Sequence, residues 1–179
     1  NGRVGKRTFL HPVVGLASVF DPPIKGWYGA PQSVSSHQFI ERGEDKIGFF
    51  FEAAPTHPII AATAATNFGM GQQEFMRQLS HTSFLIALQV DGLLSEEEGG
   101  TVTLGKNNRI LLNYSIGDAL KESFKESMKQ GARLTLAAGA QKVQSLHFPG
   151  VEIRSEADID LLDEQPYGAL RHGIFTAHQ

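Results

Sequence analysis

Ser33-Val-Ser-Ser-His-Gln-Phe-Ile40, Glu41-Arg-Gly-Glu-Asp-Lys46 and Ile47-Gly-Phe-Phe-Phe-Glu52 form a continuous stretch: two β-prone segments on either side of six polar residues. Partial alternation in the first and aromatic richness in the second predict a pair of strands folded back across the polar loop. Successive side chains on a strand point to opposite faces, so Phe49, Phe50 and Phe51 cannot share one side. Both faces of that strand are therefore expected to be covered, which places it centrally in a sheet.

Upstream, Val13-Val-Gly-Leu-Ala-Ser-Val-Phe20 is a further strand, closed by the turn cluster Asp21-Pro22-Pro23. Downstream, Thr56 is placed to cap a helix with Pro58 in its first turn, running to about Asn67 with Gly69 as terminator. A second helix from Gln72 to about Ser80 puts Phe75, Met76 and Leu79 on one side. Ser83–Val90 reads as a buried strand broken by Asp91-Gly92, and Thr101–Leu104 with Arg109–Tyr114 as a hairpin around Gly105-Lys-Asn-Asn108. The longest helix starts at Ser115, with Asp118 in capping-box spacing, and repeats Ile116, Leu120, Phe124 and Met128 on one face. Glu122 with Lys125 and Glu126 with Lys129 lie three apart on its wet side; Gly131 is its weak point, costing about 1 kcal/mol against Ala. The helix is expected to reach Gly139. Lys142–Phe148 reads as a strand, Ser155 as the cap of a short acidic helix through Asp163, and Tyr167–His178 as extended. Six to eight strands and three or four helices, grouped in runs instead of alternating, define an α+β fold with a largely antiparallel sheet backed by helices. No repeat, low-complexity tract or linker divides residues 1–179, so a single domain is expected.

The 179 residues suffice for one sizeable core. A formal net charge of -3 provides no overall electrostatic footprint for nucleic acid or an anionic membrane. The longest apolar run, Pro58 to Ala65, is too short to span a bilayer. The sequence contains no cysteine, which excludes disulfides, thiolate catalysis and thiolate-bound metal, and fits a reducing, cytoplasmic compartment.

Several motif matches fail on chemistry. Gly100-Thr-Val-Thr-Leu-Gly-Lys106 has phosphate-loop spacing, but Asn107 stands where a hydroxyl must reach magnesium, and Thr101–Leu104 is strand-like. Gly69-Met-Gly71 is followed by Glu74 where a dinucleotide fingerprint needs glycine. There is no G-x-S-x-G and no H-E-x-x-H. The seven histidines (His11, His37, His57, His81, His147, His172 and His178) show no ligand spacing, and scattered structural or surface histidines account for them better than a metal site. Glu96-Glu97-Glu98 reads as a solvated loop tip, and Asp158, Asp160, Asp163 and Glu164 as the outer face of the short helix.

Glu52 is the carboxylate with two readings. It is either an exposed strand-end charge, or, beside Phe50 at the inner end of the strand, a group in an apolar cleft that acts as a base or orients substrate. Phe84, with His81 just before its strand, is expected to line the same cleft.

The two edges of the sequence carry a resemblance. Gly2-Arg-Val-Gly5 leading to His11-Pro12, and Gly173-Ile-Phe-Thr-Ala-His178-Gln179, resemble the crossings between flavin and substrate domains in the glucose–methanol–choline (GMC) family of flavin-dependent alcohol oxidoreductases. Gly48-Phe-Phe-Phe-Glu-Ala-Ala-Pro55 and the helix leading into Gly139-Ala140 look like further family features. The resemblance, closest to cholesterol oxidase and long-chain alcohol oxidase types, implies an antiparallel sheet of about six strands with helices on one face. Independently of the resemblance, the strand positions give Glu52, Phe50, His81 and Phe84 as the substrate-side residues. The resemblance also implies that His178 stands over the flavin and takes the alcohol's hydroxyl proton while the carbinol carbon delivers hydride to flavin N5. On its own, a penultimate histidine reads as a frayed terminus or tag remnant.

The family's G-x-G-x-x-G and its C-terminal flavin-site stretch are absent from residues 1–179. The expectation is a substrate-binding domain excised from a larger flavoenzyme, inactive alone and binding FAD poorly or not at all, whose partners are an alcohol and the missing FAD-binding domain of the same chain. Abundant Phe and Ile point to a sterol or long-chain alcohol, although core packing explains those residues equally well. The competing reading is a stand-alone apolar-ligand-binding or interaction module without redox chemistry. The two part at the edges: the first requires residues 1–12 and 173–179 to converge.

Overall fold

The computed structural model describes residues 2–94 and 98–176. In chain order its elements begin with strands β1 (Lys6–Thr8), β2 (Pro12–Val19), β3 (Ser35–Ser36) and β4 (Phe49–Ala54). Helices α1 (Pro58–Ala64) and α2 (Met70–Arg77), a 3-10 turn at Leu79–His81, and strands β5 (Thr82–Gln89), β6 (Gly100–Leu104) and β7 (Ile110–Asn113) follow. Then come α3 (Asp118–Ala137), β8 (Lys142–Ser145), β9 (Glu152–Ile153), a 3-10 helix at Glu156–Leu162 and β10 (Ile174–Thr176). The main sheet runs β3-β4-β5-β2-β8-β9, with β10 also on β2; β1, β6 and β7 form a separate three-stranded sheet. Every pairing among them is antiparallel. The α+β expectation and the antiparallel sheet are both met, but the main sheet has seven strands and carries helices on both faces instead of one, α3 on one side and α1 with α2 on the other.

The 33–52 stretch does fold back on itself, but only Ser35 and Ser36 pair with β4, opposite Glu52 and Phe51. Beyond them the chain turns inward. Phe39 stacks on Phe49 at 5.0 Å, and the Phe49 N–H donates to the Phe39 carbonyl. The crossing is so close that a Cβ on Gly48 would lie 1.8 Å from the Ile40 carbonyl oxygen. β4 is therefore flanked by a two-residue strand, and the central positions belong to β5 and β2.

Phe49, Phe51, Ala87, Val14, Leu16 and Val143 form one face of the sheet, and the Leu120-Phe124-Met128 side of α3 packs upon it. Within this core Gln89 is fully buried. Its Nε2 donates to the Ala87 carbonyl and to Ser127 Oγ, and its Oε1 lies 2.5 Å from Ser123 Oγ. The amide is thus satisfied from both sides, as burial demands.

Local details depart from expectation where tertiary contacts compete. α3 begins at Asp118 with Gly117 at its N-cap and no side-chain cap, so Ser115 and Asp118 form no capping box. That device appears at Ser155 and Asp158 instead, opening the acidic 3-10 helix. Thr56 is buried, its hydroxyl turned to the Ala54 carbonyl, and His57 occupies the N-cap of α1. Glu122 pairs with Arg42, and Lys129 reaches Asp160 and Asp163 at 3.0 and 2.8 Å. These charges join α3 to distant segments instead of pairing along the helix. The contact holds Lys129 above its ordinary range and the Asp163 carboxyl below its own, the hydrogen bond between them being the largest cause in each case.

Gly131 is a packing device, not a weak point. A Cβ there would sit 3.0 Å from Leu16 Cδ1, 3.2 Å from Phe51 Cε1 and 3.3 Å from Leu85 Cδ2. The helix can lie this low on the sheet because position 131 has no side chain. We expect Gly131→Leu to lower the unfolding free energy by about 1–3 kcal/mol through overpacking. Urea titration reads this directly, and an unshifted midpoint would show that helix and sheet have room to part.

Candidate functional site

Cross-strand register decides which residues share the face of the sheet opposite α3. Phe50 pairs with Leu88, Glu52 with Ile86 and Ala54 with Phe84; across β2, Val13 pairs with Leu88 and Ala17 with Phe84. Side chains of directly opposed residues emerge on the same side. Phe50, Glu52, Phe84, Ile86 and Leu88 therefore start from one surface.

Two short helices divide that surface. α1 and α2 lie over one end of it, where Ala61 and Phe75 pack against Ala17 and Phe84 and the two phenylalanine rings meet edge to face at 6.1 Å. The other end is open. It forms a hollow of about 480 Å3 lined by Gln32, Phe50, Glu52, Ile86, Leu88, Phe175 and Thr176. Within it the Gln32 amide donates to Glu52 Oε2 at 2.6 Å, fixing the carboxylate against the apolar wall. His11 and His37 flank Phe50, their rings 5.5 and 5.1 Å from its centroid.

Phe50 and Glu52 both line the hollow. Phe84 does not: it is buried beneath α2. Neither does His81, which lies in the turn before β5 with Nδ1 2.9 Å from the Asp21 carbonyl oxygen. His178 lies outside the described residues, as do Glu96 and Glu97 of the acidic run. Gln32, Ile86, Leu88, Phe175 and Thr176 were not singled out from the sequence. For Ile86 and Leu88 the signal was available in their two-residue spacing from Phe84.

β10 closes one side of the hollow. Ile174, Phe175 and Thr176 pair with Val14, Val13 and Pro12, and the His11 N–H donates to Thr176 Oγ1 at 3.3 Å. The segments before β2 and around β10 therefore converge in space. A second, more apolar hollow of about 300 Å3 is lined by Leu10, Pro12, Tyr114, Ile116 and β10 itself.

The segment leading into β10 is anchored by two buried histidines. His147 and His172 face each other across a main-chain bridge, with rings stacked at 4.2 Å. Tyr167 packs edge-on to both, at 4.9 and 5.4 Å. His147 Nδ1 meets Ser145 Oγ at 2.9 Å; neither ring nitrogen of His172 has a hydrogen-bond partner among the described residues. Burial lowers the pKa of His147 to about 4; burial, helped by its neighbour, lowers that of His172 to about 3. Both are neutral near pH 7.

A flavin dinucleotide needs backbone amides and glycines around its pyrophosphate, and the described residues offer no such cradle. Gly71 is spent on packing, since a Cβ there would lie 2.8 Å from Asn67 Cβ, and Gly100–Leu104 is a strand. The hollow presents one carboxylate, an amide, a hydroxyl and apolar walls. That arrangement suits an apolar body with a single hydroxyl group.

No known family model matches the chain. Over 141 residues, 79% of the chain, it is 26% identical to uncharacterized GMC-type oxidoreductases from two strains of Mycobacterium tuberculosis, covering 21% of each. Over its whole length it is 24% identical to a long-chain-alcohol oxidase of Arabidopsis thaliana, covering 26% of that protein. The chain thus spans between a fifth and about a quarter of the length of these curated relatives. Its similarity to GMC-type oxidoreductases supports an oxidoreductase family whose members are generally FAD-dependent. Among the described residues no helix is long and apolar enough to cross a membrane.

The histidine pair generates a pH prediction. Unfolding returns each imidazole to a pKa near 6.5, so below that pH the unfolded chain binds more protons than the native one. Stability therefore falls as pH drops from about 6.5 and levels off once the native pKa values of about 4 and 3 are passed. The slope approaches about 1.4 kcal/mol per pH unit per histidine. Urea midpoints between pH 4.5 and 7 should show this dependence, and His147→Gln with His172→Phe should flatten it.

Proposed function

We propose that this chain is the substrate-binding domain of an FAD-dependent alcohol oxidoreductase that converts a CH–OH group to a carbonyl, with FAD held by another domain of the same protein. The observation that carries the reading is the composition of the hollow. Glu52, oriented by Gln32, stands among Phe50, Ile86 and Leu88, and Phe175 and Thr176 of β10 share the same wall. His178 follows Thr176 by two residues in the sequence. In this reading the apolar wall holds the alkyl body and excludes water, Glu52 or Thr176 orients the hydroxyl, and His178 accepts the hydroxyl proton. An imidazole is neutral near pH 7 and suits that acceptance.

The similarity to a plant long-chain-alcohol oxidase and the apolar lining favour a long-chain primary alcohol as substrate. A second reading, a stand-alone apolar-ligand-binding or interaction module without redox activity, draws on the same apolar lining of the hollow. It predicts alcohol binding by residues 1–179 and no oxidation by any longer protein that contains them.

The test is made on the longer, yellow protein carrying these residues, with a long-chain primary alcohol as substrate. We expect alcohol-dependent bleaching of the flavin and a loss of about 10²–10⁴-fold in kcat for His178→Ala with flavin content unchanged. Ile86→Lys, a charge set into the apolar wall, should raise KM well above its effect on kcat. A flavin that never bleaches with any alcohol, or a His178→Ala enzyme of full activity, would overturn the assignment.

A further inference from the structure

Among the described residues the small sheet ends in an unpaired edge. Its order β1-β6-β7 leaves two outer strands, and they differ sharply. β1 is blunted: its register on β6 shifts between Lys6 and Thr8, and Arg7 and the preceding Gly5 have φ of 56° and 76°. A bulged, charged edge of this kind resists pairing with another chain. β7 has no such device. All four of its residues, Ile110-Leu-Leu-Asn113, are exposed, and no strand pairs with its outer side among the described residues.

Backbone alternation shows what that edge offers. The Val102 N–H donates to the Gly5 carbonyl just before β1, so residues 101 and 103 direct their amide groups to β7. Consistently, Gly105 N–H donates to the Arg109 carbonyl. Thr103 pairs with Leu111 and Thr101 with Asn113, so Leu111 and Asn113 turn inward to β6. The N–H and C=O groups of Ile110 and Leu112 are left pointing outward.

We infer that β7 pairs antiparallel with β7 of a second copy of this chain about a two-fold axis through Leu111, forming one continuous six-stranded sheet. Such an axis stands perpendicular to the sheet and keeps each face on its own side, so paired residues must have the same parity. Centred on Leu111, it sets Ile110 opposite Leu112 of the second copy. The two outward-facing residues thereby exchange both of their main-chain hydrogen bonds, twice over by symmetry.

Side chains agree with this register. Val102, Leu104, Ile110 and Leu112 share one face of the hairpin, since 102 pairs with 112 and 104 with 110. Leu104 and Ile110 are 71% and 70% exposed and Leu112 44%, an apolar surface that the pairing doubles into one strip. Arg109 falls opposite Asn113 of the second copy, so no like charges oppose each other across the seam. The cations of the turn, Lys106 and Arg109, are carried to opposite ends of the joined sheet. A second copy is favoured over an anionic lipid surface because the unsatisfied groups are main-chain donors and acceptors in strand register, which lipid headgroups do not match. The contact is independent of the alcohol-binding reading, and neither depends on the other's success.

Sedimentation velocity tests the pairing on the longer protein that carries these residues and on residues 1–179 alone, with circular dichroism showing that the latter fold. Both should reach twice the monomer mass with rising concentration. Leu111→Lys and Leu111→Glu, each placing like charges face to face on the axis, should each be monomeric with unchanged circular dichroism. Their equimolar mixture should recover the dimer. Should either charged variant fail to fold, Leu111→Cys serves: opposed residues of a non-hydrogen-bonded pair lie about 4.5 Å apart at Cα, within disulfide range. The chain has no other cysteine, so oxidation must join two copies at that position. A wild type that stays monomeric, charged variants that still dimerise, a mixture that does not recover, or a Leu111→Cys chain that does not cross-link would each overturn the pairing. Capture of a monomer by phosphatidylglycerol vesicles, lost on Leu111→Glu, would assign the strip to a membrane surface and overturn it likewise.

Discussion

The pairing of both edges of β2 is the constraint on which the rest of the structure depends. Pro12–Ser18 is buried throughout, and buried backbone amides must find partners. One edge is met along its length by β5, from Val13–Leu88 to Val19–Thr82. The other is divided: β8 takes Leu16 to Val19 and β10 takes Pro12 to Val14. The division brings the end of the described chain back to its beginning, and it gives the hollow one of its walls. The same central strand thus joins the closure of the sheet to the shape of the site.

α3 is held on the opposite face by shape first and charge second. The bare backbone at Gly131 lets helix and sheet approach, and the Leu120-Phe124-Met128 stripe fills the remaining space. Salt bridges from Glu122 to Arg42, and from Lys125, Lys129 and Arg133 to the acidic 3-10 helix, then join the exposed sides of α3 to segments far away in sequence. The more exposed of these pairs, Lys125–Asp163 and Arg133–Glu156, typically contribute less than about 1 kcal/mol each. They fix the position of the acidic 3-10 helix more than they stabilise the fold. The apolar packing carries the energy.

The fold was legible in proportion to how local its signals were. The 33–52 turnback, the β6–β7 hairpin and the long helix announce themselves through turn residues and periodicity. β1, β9 and β10 have only two or three residues each, and nothing within them distinguishes strand from loop until a partner edge exists. The site was half legible for a related reason. Alternation places Phe50 and Glu52 on one side of their strand, but only the β4–β5 register brings Phe84 to the same surface, and neither says what covers it. α1 and α2 bury Phe84 and spare Phe50. Gln32, remote from any recognisable pattern, becomes the partner of Glu52 only when its loop crosses the strand.

The sequence by itself determined the class of fold, the antiparallel hairpins, the core face of the long helix and the failure of its phosphate-loop match, because each follows from neighbours within a few residues along the chain. Tertiary structure alone decided which end of the sheet stays open, which charges pair, where the two histidines hide, and which edge strand is left without a partner among the described residues. Those outcomes depend on segments dozens of residues apart competing for the same surface and the same hydrogen bonds. A linear pattern carries no record of which competitor wins.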